Sequence, residues 1–131
     1  MFVPRGIRNN NPLNIEYNKA NDWKGQTGSD GRFAIFSNPA YGFRAGARVL
    51  RSYQRRGIVR LNDIISTFAP ANENNTALYI EHVSQWTGFA PDSLIDVYDV
   101  NQVTRLLRAM ARKEVGHQYT DAEVREGVML A

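Results

Sequence analysis

The pattern of apolar and polar positions divides the chain into a polar first third and a helical remainder. After Asn38-Pro39, apolar residues recur every three or four positions up to Gly57, which predicts an amphipathic helix. Asparagine is a favoured N-cap and proline is favoured at the first helical position, so this pair marks the helix start. A glycine after the last periodic residue is a common helix end.

Further helices are predicted by the same combination of capping residues, apolar spacing and terminal glycines. They lie at Asp63–Phe68 with Asn62 as its cap, from Asn75 to Gly88, from Asp99 to Gly116, and from the capping box Thr120-Asp121-Ala122-Glu123 onward.

The first third is rich in Gly, Asn and polar residues. Asn14–Tyr17 and Phe33–Phe36 are short runs with β character, and glycines between them supply turns, which predicts a small β element near the N-terminus. The fold class predicted for the whole chain is therefore α+β, a predominantly helical domain that is lysozyme-like by its count of elements. A chain of 131 residues fits one domain, residues 1–131.

Composition and charge exclude several classes of functional site and partner. The chain has no cysteine, which excludes disulfides, thiolate nucleophiles and cysteine-bound metals. The net charge of +3 comes largely from arginines between Arg44 and Arg60, which we interpret as a solvated helix face. No nucleic-acid motif accompanies them, so no nucleic-acid partner is expected. We see neither a membrane span nor a signal peptide and expect a soluble protein.

The candidate catalytic groups are carboxylates. The two histidines follow no metal-binding spacing, and neither a serine elbow nor a phosphate loop is present, so no metal or cofactor is expected. Glu114 ends a strongly apolar helix, where burial and the negative end of the helix dipole would raise its pKa and suit it to general acid catalysis. The alternative is an ordinary exposed glutamate in a last helical turn.

Candidate substrate-binding residues are amides, aromatic rings and one isoleucine elsewhere in the sequence. Amides can both donate to and accept from sugar hydroxyls, which favours the Asn-rich opening, and an aromatic ring beside a loop glycine can stack on a sugar face. Each residue could instead be a turn or core residue. The candidates are Asn11, Asn14, Ile15, Trp23, Tyr79 and Tyr119.

The segments RGIRNNNPLNIEYN, WKGQ and FAIFSNPAYGFRAGARVL together resemble phage and prophage muralytic proteins labelled structural protein P5. This resemblance implies a virion-associated, peptidoglycan-cleaving enzyme with a lysozyme-like fold. Two departures stand out. Leu13 replaces an expected glycine, and Lys113 and Val115 replace the expected His and Asn around Glu114.

The order of segments is also similar to lysozyme-like glucosaminidases and lytic transglycosylases. There, a helix ending in a catalytic Glu precedes the Asn-rich turn, the Trp-Gly loop and the strand, whereas here the similar helix comes last. We interpret this as a circular permutation, which is feasible because domain termini often lie close together. The hypothesis predicts that the Glu114 carboxyl lies in a cleft facing Asn11, Asn14 and Ile15. By the same analogy, Tyr79 lines the site.

The function predicted from these resemblances is cleavage of β-1,4 glycosidic bonds in peptidoglycan, as a lytic transglycosylase or a muramidase, with Glu114 as general acid. A hydrolase normally needs a second carboxylate, for which Asp30 and Glu16 are candidates. The alternative is a non-catalytic virion structural or glycan-binding module of the same fold. An endopeptidase has no supporting motif. The expected partners are peptidoglycan glycan strands and other virion proteins, and we expect a monomer that acts from the virion or in the host periplasm.

Overall fold

A computed structural model describes residues 3–131 as a mostly helical chain with one two-stranded antiparallel sheet. The elements are, in order, α1 (Arg5–Arg8), β1 (Gln26–Ser29), β2 (Ala34–Phe36), α2 (Pro39–Arg55), α3 (Leu61–Phe68), α4 (Thr76–Thr87), α5 (Val100–Val115) and α6 (Asp121–Leu130). The α+β class predicted from the sequence is confirmed.

Four helices begin where their capping residues predict. Each capping side chain accepts a hydrogen bond from the first helical turn, which satisfies an amide that has no partner within the helix. The side-chain oxygens accept from these backbone nitrogens: Asn38 from Ala40 N (3.0 Å), Asn75 from Leu78 N (3.1 Å), Asp99 from Asn101 N (2.9 Å) and Thr120 from Glu123 N (3.1 Å). Glu123 returns a 2.8 Å bond to Thr120 N and completes the capping box.

The strand prediction is wrong in one half of the hairpin. Asn14–Tyr17 is not a strand, because Asn14 adopts a left-handed φ of 51° that breaks the extended backbone. Glu16 forms an isolated bridge with Phe33, and the flanking Ile15 O and Tyr17 N bond to Ala34 N and Arg32 O. The first strand is instead Gln26–Ser29, whose residues pair with Ala34–Phe36 across the sheet.

Two smaller differences concern helices. α3 begins at Leu61, after Arg60, so Asn62 lies inside its first turn and is not the cap. Leu61 is fully buried, and the bridge between Arg60 and Leu94 fixes the chain just before it, so tertiary contacts set this start. The single turn of α1 was not predicted, since four residues are too few to show periodicity.

The hydrophobic core lies where α2, α5 and α6 meet. Phe43 and Leu50 from α2 and Leu107 and Met110 from α5 are almost completely buried. α6 approaches α2 so closely at Gly127 that a Cβ atom there would lie 2.5 Å from Phe43 Cβ. α4 packs against α5 on another side of this core. Within residues 3–131, no helix is long and apolar enough to cross a membrane.

Candidate active site

The Glu114 carboxyl is held by two side chains from distant parts of the sequence. Glu114 lies in the last turn of α5, and its side chain is partly buried. Tyr79, on α4, donates a 2.9 Å hydrogen bond from its hydroxyl to Glu114 Oε2. Asn14 donates from Nδ2 to Oε1 at 3.2 Å. Because each oxygen has a donor, the carboxyl is fixed in orientation.

Burial raises the pKa of Glu114 above its ordinary value of 4.5. The hydrogen bonds from Tyr79 and Asn14 and the charge of Lys113 favour the carboxylate and oppose this shift, but the effect of burial is larger. Glu114 therefore holds its proton to higher pH than an exposed glutamate does, as a general acid requires.

Tyr79 is almost completely buried, with 3% of its surface exposed. Burial and the neighbouring charge of Glu114 raise the pKa of the phenol well above its usual range. The hydroxyl therefore stays protonated at all physiological pH values and donates to Glu114. This makes Tyr79 a positioning residue for the acid.

Asn11 organises the loop that carries Asn14. It is fully buried, its Nδ2 donates to Ile15 O and Ala34 O, and its Oδ1 accepts from Ile15 N, each at 2.9 Å. These bonds use both N–H donors of the amide, and because the side chain is fully buried, Asn11 holds the loop in this structure. The loop then turns through the left-handed Asn14 and brings its amide to Glu114.

Glu114 opens into a cleft of about 370 Å³. Apolar and aromatic side chains form part of the lining, and amides and carboxylates form the rest, a combination that suits a sugar with its apolar faces and many hydroxyls. The side chains most relevant to a ligand are Asn14, Ile15, Glu16, Arg32, Phe33, Tyr53, Phe68, Glu73 and Asn74. Of the three residues that the permutation hypothesis sets opposite Glu114, Asn14 and Ile15 line this cleft and Asn11 does not.

Three other predicted ligand contacts, Tyr79, Trp23 and Tyr119, lie outside the cleft lining. Trp23 is partly buried against the core, with its indole Nε1 buried and without a hydrogen-bond partner among residues 3–131. Tyr119 is only 4% exposed and packs edge to face on Phe43 at 5.0 Å between ring centroids. The Trp23 and Tyr119 rings pack against the core and do not line the cleft, and a contact of either ring with a sugar stays a prediction.

Of the two candidates for a second carboxylate, only Glu16 lines the cleft. Asp30 instead accepts from Arg5, from Phe33 N at 2.7 Å and from Asn9 at 2.8 Å. The hydrogen bond from Arg5 and the one from Phe33 N hold the pKa of Asp30 well below its usual range, so it acts as a turn and ion-pair residue. Glu16 is exposed and pairs with Arg32 at 3.2 Å.

Glu73 is a cleft carboxylate that no pattern in the sequence predicted. It lies between α3 and α4 in a loop without periodicity, next to Asn74. The only signal for it is the run Asn72-Glu73-Asn74-Asn75, a second cluster of amides. No grouping of three potential metal ligands occurs within the part of the chain from Val3 to Ala131.

No family model matches the sequence. Almost the whole of this chain is similar to a curated protein. The chain is 36% identical over 129 residues to Protein P5 of Pseudoalteromonas phage PM2, a match that covers 94% of this chain and 79% of the relative.

Proposed function

The chain belongs to the family of Protein P5 of Pseudoalteromonas phage PM2, a bacteriophage protein family, and from this premise we propose that it cleaves the β-1,4 glycosidic bonds of bacterial peptidoglycan. The observation that carries the proposal is the Glu114 carboxyl, partly buried, with a raised pKa and a donor on each oxygen, at a cleft large enough for sugar residues.

In the proposed reaction, protonated Glu114 donates its proton to the glycosidic oxygen. The bond between C1 of N-acetylmuramic acid and that oxygen breaks, and positive charge develops at C1. Tyr79 and Asn14 then stabilise the carboxylate that Glu114 has become. The aromatic side chains of the cleft, Phe33, Tyr53 and Phe68, are suited to pack on the sugar faces.

After the bond breaks, C1 can be attacked by either of two nucleophiles, which give different products. In a lytic transglycosylase, the 6-hydroxyl of the same muramic acid attacks C1, returns its proton to Glu114 and forms a 1,6-anhydro ring. In a muramidase, water attacks and a second carboxylate, Glu16 or Glu73, takes its proton. We favour the first, because both carboxylates are exposed and Glu16 is already paired with Arg32.

A circularly permuted lysozyme-like fold is part of this proposal. It is supported by the contact between Glu114, near one end of the chain, and Asn14, near the other. We further propose that the protein works on the host cell wall, reaching it in the virion with other virion proteins or acting in the periplasm.

The test is digestion of purified peptidoglycan by wild type, Glu114→Gln and Glu126→Gln, with mass spectrometry of the released fragments. Glu126 is an exposed glutamate on α6 and serves as the matched control. Wild type and the control should release muropeptides, and Glu114→Gln should not. Anhydro ends would identify a transglycosylase, and reducing ends, heavier by one water, a muramidase. If wild type binds the polymer and releases nothing, the protein is a glycan-binding module and the proposal fails.

A further inference from the structure

A groove lined by arginines lies on the side of α5 opposite to Glu114. Arg105, Arg108 and Arg112 are three and four residues apart and so share one helix face, whereas Glu114, two positions after Arg112, points away from them. Two adjoining cavities of about 130 and 450 Å³ follow this face. Both cavities are lined by Trp86, Arg105 and Arg108, and we call the two together the α5 groove.

Each guanidinium of the α5 groove is held by a neighbour. Arg112 lies over the Trp86 ring, 4.0 Å from its centroid, and Arg105 lies over the Phe89 ring at 5.1 Å. Arg108 donates from Nε to Tyr119 O at 2.7 Å. These contacts leave other N–H groups of the same guanidiniums available for a ligand, and they reduce the conformational entropy that the arginines would lose on binding one.

Negative charge is scarce in the α5 groove. Asp121 is the only carboxylate among the residues that line it, and it is paired with Arg125 from α6 at 3.3 Å. Within residues 3–131, Arg105, Arg108 and Arg112 form no ion pair. Like charges three and four residues apart destabilise a helix, and an anion bound between them would relieve that repulsion.

We propose that the α5 groove is a binding site for a phosphate group. Guanidinium groups bind phosphate through paired N–H donors. A phosphate carries more charge and more acceptor oxygens than a carboxylate, so several arginines can share one. Gln118 at one end of the groove and Asn101 at the other add amide donors. The site is separate from the cleft at Glu114 and needs no catalytic activity to operate.

The experiment is calorimetric titration of the full chain with tripolyphosphate, and with citrate as a carboxylate of comparable charge, at equal ionic strength. The test variant is Arg105→Gln/Arg112→Gln. The control is Arg48→Gln/Arg56→Gln, which removes the same charge from two exposed arginines of the α2 region. Thermal unfolding of each variant checks folding, and single replacements of Arg105 and Arg112 serve if the double variant does not fold.

Tripolyphosphate should bind the wild type and the control alike, and the test variant should bind it at least about tenfold more weakly, since hydrogen bonds between charged groups are individually strong. Equal weakening in both double variants would show an effect of net charge alone and overturn the proposal. Citrate binding as tight as tripolyphosphate binding would also overturn it.

A second experiment, vesicle sedimentation, identifies the source of the phosphate. Vesicles of phosphatidylcholine with and without phosphatidylglycerol are sedimented with each variant. Binding that requires phosphatidylglycerol and is lost in Arg105→Gln/Arg112→Gln would identify a lipid headgroup. Tripolyphosphate binding without vesicle binding would identify a free phosphate compound. Either result supports a phosphate site at the α5 groove.

Discussion

At the scale of single residues, the properties of Glu114 come from three positions that are far apart in the sequence. α5 supplies a partly buried carboxyl, α4 supplies the Tyr79 hydroxyl, and the N-terminal loop supplies the Asn14 amide. The raised pKa was predictable from the apolar end of the helix alone. Its two partners, 35 and 100 positions away, were accessible only by analogy with other proteins, because local patterns carry no information on such contacts.

Replacing Tyr79 with Phe should shift the pKa of Glu114 while leaving its carboxyl in place. Because the Tyr79 hydroxyl favours the carboxylate, its loss should raise the pKa of Glu114 further and move the alkaline limb of kcat/KM to higher pH. The rate should fall by about tenfold, since a hydrogen bond to a charged group is lost. The check is the pH profile on peptidoglycan, with Tyr17→Phe, an exposed tyrosine, as control. An unchanged profile would contradict the positioning role.

Glu114 should also reduce stability at neutral pH. A pKa that is raised in the folded state means that folding favours the protonated acid, so its stabilising contribution is present below pH 4.5 and is lost as pH rises through the raised pKa. Near pH 7, Glu114→Gln should therefore unfold at a higher temperature than the wild type. Its free energy of unfolding should be larger by about 0.5–2 kcal/mol, the usual size of a single stabilising change. The difference should shrink at pH 4. Calorimetry at both pH values measures it, and a Gln variant that is less stable at pH 7 would refute this reading.

At the scale of elements, the capped helices were predictable and the β element was only partly so. Asn38, Asn75, Asp99 and Thr120 bond to amides two or three residues away, so the sequence contains the whole motif. The hairpin depends on long-range contacts. The fully buried side chain of Asn11 ties the loop to β2, and the left-handed Asn14 interrupts the extended backbone after it.

The close approach of α6 to α2 should make Gly127 intolerant of substitution. In Gly127→Ala, the added Cβ would meet Ala40 O and Phe43 Cβ, both on α2, so the helices must separate. We expect a loss of about 1–3 kcal/mol in the free energy of unfolding, typical of an overpacked interface. Gly28→Ala, where no atom lies within 4 Å, is the control. Urea unfolding of both variants measures this loss. Equal free energies of unfolding in the two variants would contradict the close packing of α6 on α2.

At the scale of the whole molecule, the N-terminal loop and the end of α5 meet at the cleft. The N-terminal loop with Asn14 and the C-terminal half of α5 with Glu114 form one wall, and the segment from Phe68 to Asn74 contributes to the rest of the lining. The sequence predicted the α+β class and the longer helices. It could not predict which aromatic rings face the cleft, because Trp23 and Tyr119 have the same local character as Tyr53 and Phe68.

The role proposed for Glu114 as the acid of a glycan-cleaving site is tested most sharply by binding and cleavage of the same insoluble peptidoglycan by wild type and Glu114→Gln. We expect both proteins to sediment with the polymer to the same extent. The variant should release soluble fragments at least about 100-fold more slowly than the wild type, as expected for a lost general acid. Release of fragments by Glu114→Gln at the wild-type rate would contradict it.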